Sequence, residues 1–74
     1  MNKFMNAIYN AVGSQVSGFY KNEPFVGTIT TTRPMYGMDI QVGVTVPGDL
    51  YLIEGTTLYE GGNGVFTNLV VNFN

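Results

Sequence analysis

Over the first twenty residues the apolar positions recur at spacings of three and four. Met1, Phe4, Met5, Ile8, Tyr9, Val12, Val16 and Phe19 fall on one stripe of a 3.6-residue helix, opposite Asn6, Ala7, Asn10, Ala11, Ser14 and Ser17. The spacing predicts an amphipathic helix over about 2–17, stopped by Gly13 or, later, by Gly18. Its second face carries no charge. A membrane-surface helix would hold Lys and Arg there, and this segment offers only Lys3.

After Lys21 and Asn22 the period changes to two. Phe25, Gly27, Ile29 and Thr31 alternate with Val26, Thr28, Thr30 and Thr32, a β-branched run that predicts a strand over about 24–33. Arg33, Pro34, Met35, Tyr36 and Gly37 then supply the fixed and permissive φ angles of a reversal. Met38, Ile40, Val42, Val44 and Val46 alternate with Asp39, Gln41, Gly43 and Thr45, giving a strand over 38–46 with one buried face. Pro47, Gly48 and Asp49 read as a tight turn. The segment 50–54 begins Leu50, Tyr51, Leu52, Ile53, apolar on both faces, and predicts a short strand that is central or otherwise covered. A glycine-rich loop spans Gly55 to Gly64, and a last strand over 65–73 places Val65, Thr67, Leu69, Val71 and Phe73 on one face.

The elements make a single α+β domain: an N-terminal amphipathic helix packed on a four-stranded antiparallel β-meander. The competing arrangement is a small, partly open β-barrel with the same helix. Either has an exposed sheet edge, which another strand can extend.

Composition narrows the chemistry. Across 74 residues there is no histidine and no cysteine, and eight charged side chains leave a net charge of −2. The usual general base, thiolate nucleophile and soft metal ligands are missing, so the sequence points away from an enzyme and assigns no catalytic residue, metal or cofactor. Charged residues are 11% of the chain, against about 25% in typical soluble domains. That deficit leaves weakly polar surface for a partner, and a domain this short, lacking disulfides, gains from self-association.

Three dispersed cations make no basic stripe, so nucleic acid is not the expected partner. With no run of about 20 apolar residues and no signal-peptide core, the reading expects no membrane partner and a soluble protein of the cytoplasm. The loop Gly61, Gly62, Asn63, Gly64 lacks the Lys and Ser or Thr of a phosphate-binding loop and leads into a strand. Contacts with a partner are expected from the loops, through Arg33, Tyr36, Tyr59, Glu60 and Asn63, with Tyr36 and Tyr59 exposed. Asp39 is expected to pair with Arg33 across the reversal.

The sequence thus predicts a small non-enzymatic protein-binding module that forms homo-oligomers. Its size suits an accessory or inhibitor protein of the type phages and plasmids direct at a larger partner. The alternatives are a single-stranded nucleic-acid binder, using Tyr20, Phe25, Tyr36, Tyr51, Tyr59 and Phe66 as stacking groups, and a structural assembly subunit.

Overall fold

A computed structural model of the chain describes residues 3–74. The expected helix start at Asn2, and Met1 of its apolar stripe, lie outside the described residues. Two short helices, α1 (Lys3–Tyr9) and α2 (Gly55–Glu60), accompany five strands. These are β1 (Gln15–Tyr20), β2 (Glu23–Pro34), β3 (Ile40–Val46), β4 (Asp49–Glu54) and β5 (Phe66–Asn72). All pairings are antiparallel, in the order β4-β3-β2-β1-β5. The α+β class holds, with two corrections. The sheet has a fifth strand, and β5 returns beside β1 rather than closing a simple meander.

That fifth strand comes from the second half of the expected helix. After Tyr9 the backbone tightens into short turns, Asn10 N–H to Ala7 O and Ala11 N–H to Ile8 O. Gly13 then takes φ +96°, a left-handed conformation that ends a helix. Gly13 N–H donates to Ile29 O at 2.8 Å and Ile29 N–H to Ser14 O at 2.8 Å, drawing the chain onto β2. Val16 and Phe19, which continued the helical spacing, land on opposite faces of β1, Val16 buried and Phe19 exposed. Long-range pairing overrides the local period.

The curl of the sheet follows from β2. This strand is twelve residues long; its first half pairs with β1 and its second with β3, with a register shift between Ile29 and Thr31. The Thr30 hydroxyl bridges the irregularity, 2.9 Å from the Thr45 hydroxyl. Gly27 faces inward where β3 folds over: a Cβ there would sit 2.6 Å from Val44 Cγ1 and 2.9 Å from Val46 Cγ2. In a flat sheet β4 and β5 would be roughly 19 Å apart, four strand spacings. Instead the rings of Tyr51 on β4 and Phe66 on β5 have centroids 5.7 Å apart. The sheet is open, since no ladder joins β4 to β5, but bulge and glycine bend it until its two edges share side-chain contacts.

Val16, Phe25, Ile29, Ile40, Val42, Val44, Ile53, Phe66 and Leu69 fill the concave side. Tyr20, Phe25, Tyr51 and Phe66 close one end as a ring cluster, with centroids 4.7 Å apart for Tyr20–Tyr51 and 4.8 Å for Tyr20–Phe66. Met5 and Ile8 of α1, Ala11 in the turn that follows it and Leu58 of α2 add the rest of the core. Several expectations about faces change. Tyr9 and Val12 of the expected apolar stripe are exposed, whereas Ala11 and Ser14 of its polar face are buried, because the helix ends at Tyr9. Met38 is exposed in the reversal, and β3 starts at Ile40. β4 is an edge strand with Leu50 and Leu52 exposed. In β5, Asn68 has φ +52° beside an irregularity in the β1 pairing, so Phe66, Leu69 and Val71 face inward and the expected alternation breaks. Among the described residues no helix is long and apolar enough to cross a membrane.

Gly27→Ala tests the origin of the curl. The new methyl has no room between Val44 and Val46, so urea unfolding should show a loss of about 2 kcal/mol, the scale of overpacking. Unchanged or increased stability, the usual result of Gly→Ala at an unstrained site, would show that β3 does not cross β2 this closely.

Candidate contact site at the β2–β3 hairpin

Pro34 ends β2 and the chain reverses through Met35, Tyr36, Gly37 and Met38. Met35 N–H donates to Asp39 O at 2.9 Å, which closes the hairpin at its neck. Gly37 has φ +81°, and the reversal throws the side chains on either side outward. Tyr36 is 104% exposed and Met38 63% exposed, with Met35 partly so. Arg33 stands exposed at the base, opposite Gln41 on β3, which in turn opposes Glu54 on β4. The result is an apolar tip of one tyrosine and two methionines with a single cation behind it.

The tip projects from a braced frame. Asp39 Oδ1 accepts the N–H of Ile40 at 2.8 Å and that of Thr56 at 3.1 Å, while Oδ2 accepts the Thr56 hydroxyl at 3.2 Å. Thr56 lies in the first turn of α2, whose N-cap residue Glu54 makes no side-chain cap bond. Asp39 therefore caps α2 from another element, satisfying a first-turn donor that has no partner within the helix. Burial alone would raise its carboxyl pKa, but the bonds from Ile40 and Thr56, with Glu54 adjoining, outweigh that and hold it below the ordinary value. The expected Arg33–Asp39 pair is thus replaced by a link from the hairpin neck to α2. A second link joins the base of the hairpin to α1, where the Thr32 hydroxyl donates to Tyr9 O at 2.8 Å.

The other predicted contact residues lie apart from the tip. Tyr59 and Glu60 are exposed at the far end of α2, the Tyr59 ring meeting Phe4 edge-on at 5.3 Å. Gly61 and Gly62 close that helix, their N–H groups donating to Leu58 O and Thr57 O. Asn63 works inside the chain: its Oδ1 accepts Val65 N–H at 3.1 Å and Phe66 N–H at 3.0 Å, shaping the turn into β5. Residues 55–60 form a helix where a loop was expected, because the cap that starts it, Asp39, is distant in sequence. Met38 and Asp39 were missed as site residues; the alternation that placed them in β3 concealed a reversal that runs two residues further.

The cations are scattered. Arg33 is at the hairpin, Lys3 is on α1, and Lys21 is in the β1–β2 turn with its Nζ 5.3 Å from the Tyr20 ring centroid. Among the described residues no three His, Cys, Asp or Glu side chains gather where a metal ion could be held.

Asp39→Ala should lower stability by about 1 kcal/mol at neutral pH, the cost of losing a helix cap. Because the folded-state pKa is depressed, this contribution is complete above the ordinary carboxyl value of 3.8 and is lost as pH falls through the lower folded-state value. Denaturation of wild type and Asp39→Ala across acidic pH should show their difference shrinking in that window. A pH-independent gap would contradict the capping role.

Compared with known proteins, the chain matches no family model, no curated protein and no solved structure.

Proposed function

We propose that the chain is a small, non-enzymatic protein-binding module that self-associates and meets a larger partner with the Arg33–Met38 hairpin tip. The observation that carries this reading is the full exposure of Tyr36 on a hairpin whose neck is tied to α2 and whose base is tied to α1. An exposed tyrosine brings a large contact area with few rotamers to freeze, and a braced hairpin reduces the ordering cost of binding. The flanking methionines adapt to an irregular apolar pocket, and Arg33 adds a directional charge at its rim. An accessory or inhibitory action on the partner fits such a projecting tip.

A protein partner is favoured over single-stranded nucleic acid by the placement of rings and cations. Phe25 and Phe66 are buried and pack with the half-buried Tyr20 and Tyr51, and the three cations are distributed over separate elements. A stacking platform needs exposed ring faces along a basic groove.

A photo-crosslinking amino acid placed at Tyr36, at Met38 or at Asn22 in the β1–β2 turn tests the assignment in cells of the source organism. Positions 36 and 38 should give one discrete adduct that position 22 does not. Adducts that are absent, or equal at all three positions, would contradict it.

A further inference from the structure

The two edges of the sheet differ in what their backbones leave unpaired. On β5, Leu69 N–H donates to Gly61 O at 2.9 Å and Phe66 O accepts Asn63 N–H at 2.9 Å, so the loop leading into the strand occupies that edge. Among the described residues no backbone group outside the β3 ladder bonds to Leu50 or Leu52 of β4. β4 joins β3 through the two-residue turn Pro47–Gly48, which makes Val46 and Asp49 the closing, mutually hydrogen-bonded pair. Alternation along the ladder then assigns Val44/Tyr51 and Val42/Ile53 as the other bonded pairs. The N–H and C=O groups of Leu50 and Leu52 therefore point away from β3, along the free edge. Their side chains, 60% and 58% exposed, stand on the convex face.

We infer that β4 pairs with β4 of a second copy of this chain, antiparallel about a two-fold axis at Tyr51. This deepens the self-association part of the reading above and does not involve the hairpin tip. Edge-facing residues must oppose edge-facing residues. In the register centred on Tyr51, Leu50 meets Leu52 of the partner copy on both sides of the axis. That pairing forms about four backbone hydrogen bonds and clusters four leucines on the convex face. Registers one step either way keep only one leucine–leucine pair.

The charges permit this pairing. Asp49 shares the face of Tyr51 and Ile53, whereas Glu54 shares the face of Leu50 and Leu52, so the period of two keeps the carboxylates on opposite sides of the joined sheet. The parity of the ladder also forbids Asp49 opposing Glu54 directly. The strand holds no Lys, Pro or bulge, the devices that ordinarily blunt an edge. Self-pairing thus meets no carboxylate clash and is specified in register by the leucines, whereas a foreign strand would have nothing in β4 to select it.

Size exclusion with light scattering on the full chain tests the dimer, and two variants locate it. Wild type should run at twice the chain mass of 8.1 kDa. Leu52→Pro removes an N–H that faces outward and leaves the β3 ladder intact, so it should give a monomer with an unchanged far-ultraviolet dichroism spectrum. Leu52→Lys keeps the backbone donor but sets a charge among the leucines; it should shift the equilibrium to monomer and decides the matter if Leu52→Pro does not fold. A wild-type monomer at the highest soluble concentration would overturn the pairing, as would a dimer that survives Leu52→Lys or an assembly larger than two copies. A monomer whose Tyr36 crosslink persists would remove the dimer while leaving the hairpin assignment in place.

Discussion

Everything in this small fold depends on how sharply β2 bends. One strand serves two halves of the sheet, pairing with β1 before the bend and with β3 after it. At the bend an inward glycine admits the valines of β3, and the irregularity at Thr30 turns the strand. The bend lets a sheet of only five strands wrap its own core, so that helices are needed only at one end. A flat sheet of the same length would leave its apolar face too broad for seven-residue α1 and six-residue α2 to cover.

The same economy determines what remains outside. The chain has few charges with which to coat its surface, and the convex side of the sheet relies on Thr, Ser, Gln and Asn between exposed Val26, Leu50, Leu52 and Val70. Asp39 is the carboxylate given a structural task, and that task holds the hairpin neck against α2. Among the exposed apolar side chains are those of the hairpin tip and of the β4 edge. They lie on different parts of β3's two connections, one formed by the long reversal and the other by the strand that follows the tight turn.

The sequence made β2 and β3 legible because their alternation of two is nearly unbroken, and it made β4 legible as a short apolar run set off from β3 by the Pro47–Gly48 turn. β1 was hidden because Ser14, Val16, Gly18 and Tyr20 obey a period of two while Val12, Val16 and Phe19 continue a period of three to four. Bonds to Ile29, which no local pattern announces, settle between them. α2 was hidden for a related reason: Gly55, Thr56 and Thr57 are weak helix formers, and their cap comes from Asp39. The exposed Tyr36 was readable from the residues of its turn. The exposure of Leu50 and Leu52 was not, since a strand apolar on both faces looks central until the strand order is known.

The most direct test of the bent-sheet account is a nuclear Overhauser measurement between ring protons of Tyr51 and Phe66. The strands carrying them are not neighbours in the sheet, so only the bend can bring the rings to a centroid separation of 5.7 Å. The account predicts a clear Tyr51–Phe66 cross-peak alongside one between Tyr20 and Tyr51. Intact β1–β5 and β3–β4 ladders with neither cross-peak would mean a flat sheet, with the edges roughly 19 Å apart, and would contradict it.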